Sequence, residues 1–511
     1  MTRFARNAVK GAPDSRRLWL ATCCPALLLT SACALGPQHP TTEISLAPPA
    51  SETTIAPTNG TAQHIVPGAV VDPTWWHAFA SPSLDALVAT ALTANNDLAA
   101  AEANLRQSRE QSKAANGARA PQLDVGYQVE RQRTSNTLAN NLNDPNLYLY
   151  TVHSLQGSIS YPLDLFGGLK SQALSARASA EVASHRLDAA HNMVVANLVN
   201  AVIQHAQYVE QLAAAREAVG NGRSILDLLL KRQKLGDIGG AEIAAQQTAL
   251  ATAEGALPAL IRAVDHQRSL IAILIGVAPG SPLPALPTLE QLQLPAELPV
   301  GLPAQIVANR PDVRAAEAQM RGAGADVGVA IAARLPLLQL TATAGGIAER
   351  FGELFKGDNP FYSIIGAITQ PLFHGGQLVH KQHAAEAALD AAKAQYRGAV
   401  LTAFGDVQDA LTGVTTDGAA LDAATRASDA AERNLDFTQR QLQLGGVGTL
   451  SLLNASNSAA TAAAQLVQAR AARLIDTVAL YQAVGGGVTS ATATDTGAGV
   501  GTGGNTSDKG A

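Results

Sequence analysis

Cysteine is nearly missing: there are three in 511 residues, and two of them, Cys23 and Cys24, lie in an N-terminal apolar run. Cleavage just ahead of the third, Cys33, leaves one cysteine and excludes internal disulfides as a source of stability. Aromatic residues make up only 4% of the chain, few for a set of compact globular cores, whereas alanine is abundant, as in long, closely packed helices. A basic excess is absent as well, with 36 Lys and Arg against 41 Asp and Glu, so nucleic acid is excluded as a partner. The catalytic vocabulary is also missing. There is no nucleophile elbow, no paired-cysteine metal motif and no phosphate loop, and nothing marks the chain as an enzyme.

What is present begins at the N-terminus. Arg3, Arg6, Lys10, Arg16 and Arg17 precede a run from Leu18 to Ala32 that is almost all apolar, the pattern of a secretory signal over residues 1–32. The run falls short of the roughly twenty residues a transmembrane helix needs. Removing it takes five basic residues and one acidic residue, leaving a formal charge of about −9. The small pair Ser31-Ala32 before Cys33 resembles the lipobox of bacterial lipoproteins, with Thr30 where Leu is usual and Leu29 one step back. That resemblance implies diacylglycerol and N-acyl (palmitate-type) chains on Cys33, each buried methylene contributing roughly 0.8 kcal/mol to anchoring. An ordinary signal cut is the alternative, and Ser15-Arg16-Arg17-Leu18-Trp19-Leu20 faintly resembles a twin-arginine signal. No other cofactor and no metal is expected.

Compared with itself, the chain repeats. Asp97 to Leu123 aligns without a gap on Asp312 to Leu338, matching Glu102 with Glu317, Arg106 with Arg321, Arg119 with Arg334 and Pro121 with Pro336. "YPLDLFGGL" from Tyr161 then resembles "QPLFHGGQL" from Gln370 with one residue dropped, and "KLGDIGGAEI" from Lys234 mirrors "QLGGVGTLSL" from Gln443. Three matches in one order divide the chain into residues 81–290 and 291–486. They follow an extended segment, residues 33–80, and meet in the Pro-rich stretch between Pro279 and Pro303. Residues 487–511 form a Gly/Thr/Ser tail expected to be disordered.

Each half reads alike. Ser81 as N-cap and Pro82 in the first turn predict a short helix with Leu84, Leu87, Val88, Ala91 and Leu92 on one face. A second helix ends near Arg119, because Pro121 cannot continue it. The period then switches to two: Leu123, Val125, Tyr127 and Val129 alternate with polar residues, and Leu155, Gly157, Ile159, Tyr161 and Leu163 do the same. Strand pairs are predicted at about 121–134 with 150–164, and at about 336–347 with 361–373, four strands in all. After each pair comes a long proline-free segment, Gly168 to Leu235 and Gly376 to Leu444, about 100 Å if continuously helical. A Gly-containing turn and a shorter returning helix follow.

Four strands, polar on one face and apolar on the other, cannot close a membrane barrel, since the smallest barrels have about eight. Three chains would supply twelve above a bundle of paired rods. Alternation alone equally allows ordinary soluble hairpins.

"CALGPQHP" at Cys33, "WWHAFASPSLDALV" at Trp75, "YPLDLFGG", "NRPDVRAAE" at Asn309 and "QPLFHGG" together resemble the recurring motifs of the TolC-like outer membrane efflux proteins, within them the NodT-type lipoproteins. The likeness runs from Cys33 to about Gly487. It implies a mixed α and β membrane protein, a homotrimer whose transmembrane β-barrel, four strands per chain, continues into a long periplasmic α-helical barrel. It further implies a passive conduit in the outer membrane of a Gram-negative bacterium. The same resemblance implies as partners a periplasmic adaptor, an inner-membrane pump of the RND type and outer-membrane lipid, and as cargo drugs or other small molecules. The resemblance makes Leu235, Gly236, Asp237 and Ile238, and Leu444, Gly445, Gly446, Val447, Gly448 and Thr449, the tips that meet the adaptor. The family often carries acidic residues at the entrance; the matching positions are the uncharged Ser451 and Asn454, and the first-half equivalent of Ser451 is Glu242. A type I protein secretion channel and a lipid-anchored coiled-coil strut are the rival readings.

Two lesser motifs carry less. Gly499, Gly501 and Gly504 have dinucleotide-loop spacing but no flanking strand or helix. His380 and His383 share a predicted helix face without a third ligand, so a solvated face is expected.

Overall fold

A computed structural model describes residues 53–55, 62–69, 71–133, 149–236, 238–300 and 309–486. The signal segment, Cys33, the glycines of the tail and Asp237 lie outside the described residues. Seven α-helices, three short 3-10 helices and seven strands are described. They fall into two compact units, each drawing on both halves of the sequence.

The first unit, Ser108–Ala180 with Ala318–Lys393, holds a four-stranded sheet of β3 (Gln122–Arg133), β4 (Leu149–Leu163), β6 (Leu337–Ala348) and β7 (Pro360–Thr369). The order is β3-β4-β6-β7 and every pairing is antiparallel. Leu123 faces Ile159, Ile159 faces Ala342 and Ala342 faces Ile364; in the same way Tyr161 faces Leu340 and Leu338 faces Ile368. Because side chains alternate across a strand, this register gathers these apolar residues of all four strands on one face, while Ile347, Phe361 and Ile365 lie on the opposite one. Gln122, Asp124, Gln128, Ser158, Ser160, Thr341, Thr343 and Ser363 fall on the other.

The second unit, Thr42–Gln107, Glu181–Glu317 and Ala394–Ala511, is helical around one apolar core. Helix α1 (Pro82–Ala94) buries Leu84, Leu87, Val88 and Ala91 as its pattern predicts. Ser81 makes no side-chain capping bond; its Oγ lies 3.2 Å from that of Ser83. Asn95 is the stronger cap, its Oδ1 accepting from the N–H groups of Asp97 and Leu98 at 2.9 and 3.1 Å to start α2 (Asn96–Gly117). Trp75 stacks on Tyr481 at 5.3 Å and sits edge-on to Phe79, closing one end of the core. This packing also desolvates the Tyr481 phenol, which burial pushes up to about 12.

Long helices α3 (Gly168–Lys234) and α6 (Gln377–Gln443) each run 67 residues, and their returning partners α4 (Gly240–Leu274) and α7 (Thr449–Ala483) each run 35. Lys231, Arg232 and Lys234 in the last turn of α3 complement its dipole. The motif before α3 explains its start: Asp164 accepts from the N–H groups of Leu169 and Lys170 at 3.2 and 2.7 Å, while Gly167 turns the chain at φ 72°. Helix α5 (Pro311–Ala332) places proline in its first turn.

The structure differs from the sequence pattern in three details. Strand β7 ends at Thr369, not near 373, because Pro371 has no N–H for a ladder. Thr449, expected in the second tip, is the first residue of α7 and is buried. The N-terminal segment is not merely extended: β1 (Thr53–Ile55), β2 (Gln63–Pro67) and β5 (Glu297–Val300) form a small sheet, with β2 antiparallel to β1 and parallel to β5. A five-residue strand with one buried Gln gives too weak an alternation to find. Gln63 donates to the carbonyl of Pro295 at 3.1 Å and accepts from the fully buried Arg473 at 3.1 Å.

Candidate functional site

Three surfaces bear on function, and the first is the sheet. Its apolar face is bare: Val125 is 75% exposed, Ile364 71% and Ile368 69%. A contiguous apolar face on a sheet of ten- to fifteen-residue strands is not tolerated in water and marks a buried contact. The edges β3 and β7 each pair on one side only, leaving rows of backbone donors and acceptors open. Where sheet meets helices, the turns Pro162–Phe166 and Gln370–His374, with Leu335 and Pro336, line a cavity of 640 Å³. Leu372 and Phe373 project from it at 90% and 87% exposure.

The second surface is the pair of helical turns. At the first, Gly236 takes φ 78° and its N–H reaches the carbonyl of Gln233 at 2.9 Å. At the second, Gly445 takes φ 73° and donates to Leu442 at 3.1 Å, while Gly446 donates to Gln441 at 2.8 Å. These are the two bonds of a Schellman cap, which needs a left-handed residue, so glycine is there for the backbone. Leu235 and Leu444 stand out of the turns, exposed at 84% and 87%, whereas Ile238 and Val447 are half-buried. Below them a cavity of 200 Å³ brings the two hairpins together: Leu229, Glu242 and Gln246 line it from one side, Thr449, Leu450 and Leu453 from the other. Ser451 and Asn454 are exposed on the first turns of α7, outside that cavity. Gly448 precedes α7 as an extended N-cap.

The third is a set of charges that the sequence did not assign. Arg310, from the "NRPDV" motif, donates to both oxygens of Asp312 at 3.0 and 2.7 Å, to Asp406 at 2.8 Å and to the carbonyl of Ala483 at 3.0 Å. Burial works against the cation, but Asp312 and Asp406 outweigh it and hold the guanidinium more firmly charged than usual. Burial likewise opposes the Asp312 carboxylate, and Arg310 reverses that, lowering its pKa. Further along α6, Gly413 leaves room for Asp476 of α7, whose carboxylate a Cβ there would strike. Burial and the Asp476 charge push Asp417 up to about 6, against a smaller pull from Arg473. Asp417 and Asp476 give no sequence signal, since each reads as one acid on a mostly polar helix.

A pH dependence follows from Asp417. Its folded pKa lies above the ordinary aspartate value of 3.8, so the folded chain keeps a proton that the unfolded chain releases. The contribution is complete below 3.8 and is lost as pH rises through about 6. Asp417→Asn stays neutral throughout. The thermal midpoint of the variant is expected to match the parent at pH 4 and to exceed it increasingly up to pH 7; a gap that does not change with pH would remove the paired-carboxylate account.

No group of His, Cys, Asp and Glu fit to hold a metal occurs among the described residues. His380 and His383 do share a face of α6, their rings 6.2 Å apart edge to face. No described helix is long and apolar enough to cross a membrane.

The family model described as "Outer membrane efflux protein" matches residues 87–277 and 302–486. The pyoverdine export outer membrane protein OpmQ of Pseudomonas putida is 31% identical over 471 residues, covering 91% of this chain and 96% of its own length. Among solved structures, the outer-membrane channel OprN superimposes with a TM-score of 0.80 at 24% identity, covering 89% of this chain and 99% of its own. The open state of the Neisseria gonorrhoeae MtrE outer membrane channel superimposes with a TM-score of 0.77 at 26% identity, covering 89% and 99%.

Proposed function

We propose that this chain, which belongs to the outer membrane efflux protein family, works as a homotrimeric conduit that carries small molecules out through the outer membrane. It is a TolC-like outer membrane channel protein of mixed α and β fold. The finer reading rests on the bare apolar face and the two open edges of the sheet. A sheet in lipid must satisfy every backbone group internally, so its edges must meet those of other copies. Three copies give twelve strands, enough for a barrel with a wet interior, whose lining would be Gln128, Ser158, Thr343 and their polar neighbours. Such a wall selects little, and discrimination among cargoes falls to the pump.

Purified protein should run as a trimer under native conditions and open discrete channels in a planar bilayer. A non-conducting monomer would return the sheet to an ordinary soluble hairpin pair and the chain to an anchored strut. Small-molecule cargo is favoured over secreted protein because relatives named for their cargo are named for pyoverdine export and toluene efflux. The NodT-type lipoprotein resemblance is what supports an RND-type, proton-driven pump as the partner.

The tips are the adaptor's landing site in this reading. Leu235 and Leu444 offer apolar knobs over the 200 Å³ cavity between the hairpins. Gly445→Pro forbids the left-handed turn, since proline is held near φ −65°. The variant is expected to keep its trimer and lose adaptor cross-linking; wild-type cross-linking would take the tip out of docking. With Ser451 and Asn454 neutral, the entrance should show weaker block by multivalent cations than a carboxylate ring gives. Cys33 is the lipid anchor. Cys33→Ser is expected to abolish acyl labelling while the barrel keeps the trimer in the membrane, and full labelling of that variant would refute the lipobox.

A further inference from the structure

The strands of the large sheet meet helices at one end only. Gln122, Leu163, Leu337 and Thr369 each lie within a few residues of α2, α3, α5 or α6, whereas the ends at Arg133, Leu149, Ala348 and Pro360 connect strand to strand. At this helix-free end the apolar row of β3 gives way to cations. Alternation carries Arg131 and Arg133 onto the face of Leu123, Val125, Tyr127 and Val129, and leaves Glu130 on the other. The loop after β6 comes down on the same face, because the ring of Phe351 meets that of Tyr127 edge-on at 5.6 Å. Leu354 pins the loop: it is buried, and a Cβ on Gly346 would strike its carbonyl. Asn359 ties the far side, donating to the Glu353 carbonyl at 2.7 Å and, through its N–H, to that of Lys356 at 3.0 Å. A loop this firmly folded nevertheless leaves Phe351 56% and Phe355 72% exposed, beside the exposed Arg350 and Lys356.

Resting on the outer-membrane reading proposed above, we infer that this loop and the two arginines of β3 form a seat for a glycolipid of the outer leaflet that carries two phosphates. Phe351 and Phe355 lie against its acyl chains, as aromatic rings do at a membrane interface. Arg131, Arg133 and Arg350 grip its phosphates, for which the guanidinium fork is suited. Lys356 is occupied by Glu353 at 3.7 Å, but no hydrogen bond or ion pair among the described residues engages the three arginines. The helix end of the sheet differs: Arg119 bonds Asn116 at 3.1 Å and Arg334 bonds Gln382. Spacing selects the head group. β4 separates β3 from β6, so Arg131 and Arg350 stand two strand steps apart, about 10 Å. One phosphate cannot bridge that gap, whereas a disaccharide phosphorylated at both ends spans it.

The test is native mass spectrometry of the full-length protein in detergent, titrated with diphosphoryl lipid A, its monophosphoryl form or phosphatidylglycerol. Each charge contact near an anionic head group is worth about fivefold in affinity. The diphosphoryl lipid is therefore expected to bind about fivefold or more tighter than either of the others, and Arg131→Gln with Arg133→Gln and Arg350→Gln to weaken it about 100-fold. Arg119→Gln is expected to change nothing. Equal binding of the three lipids overturns the seat, and so does unchanged binding by the triple variant or an equal loss from Arg119→Gln. The comparison of lipids uses the parent protein, so it decides the matter even where the triple variant fails to fold. A conducting trimer that binds the three lipids alike overturns the seat and leaves the channel reading standing. A non-conducting monomer overturns both.

Discussion

Ile364→Arg is expected to keep the protein out of the outer membrane. Ile364 lies mid-strand in β7, opposite Ala342, on the face that carries Leu338, Leu340 and Ile368. Arginine on the lipid face of a barrel costs about 2–4 kcal/mol near the bilayer midplane. In the proposed trimer the three copies would multiply that about threefold, more than a marginally stable assembly can absorb. Ser363→Arg is the control. Its side chain points to the opposite face, beside Thr343, where water would solvate it. The expected outcome is loss of membrane-fraction protein for Ile364→Arg, and normal insertion with a shift toward anion preference for Ser363→Arg. Equal insertion of the two would mean that the apolar face does not meet lipid.

How much of this was legible in the sequence depended on periodicity. The strands could be read because Leu123, Val125, Tyr127 and Val129 repeat at two, and the long helices because nothing between Gly168 and Lys234 interrupts them. The tip turns announced themselves through glycines whose positive φ the fold requires. What escaped had no period. The pairing of Asp417 with Asp476 joins two helices 59 positions apart, and each acid alone resembles solvated surface. The β1–β2–β5 sheet is too short to alternate convincingly, and its strands β2 and β5 meet across more than 230 residues. Arg310 was visible as part of a motif, but its role depends on Asp406 and on a carbonyl at the far end of α7, neither of which spacing can reveal.

Arg310 also carries the second large effect. Its side chain is 11% exposed, and it ties three things that would otherwise drift apart: the start of α5 through Asp312, α6 through Asp406 and the last turn of α7 through the Ala483 carbonyl. Removing one member of a buried ion pair typically costs 3–5 kcal/mol, because the partner's charge is left uncompensated. Both aspartates are 45% exposed here, so water compensates part of the loss and the expected cost of Arg310→Ala falls to about 2–3 kcal/mol. Because two compact units need not unfold together, a local readout is the better one. Amide exchange at the start of α5 and the end of α7 should accelerate about 30- to 150-fold, the equivalent of that free energy. Arg310→Lys keeps the charge and loses the fork that grips Asp312 with two bonds, so it should fall between the two. Asp406→Asn in the Arg310→Ala background should cost little more, since the contact is already gone. Independent, additive losses in that double variant would show that Arg310 and Asp406 act separately, and that the tie between α5 and α6 is made by packing alone.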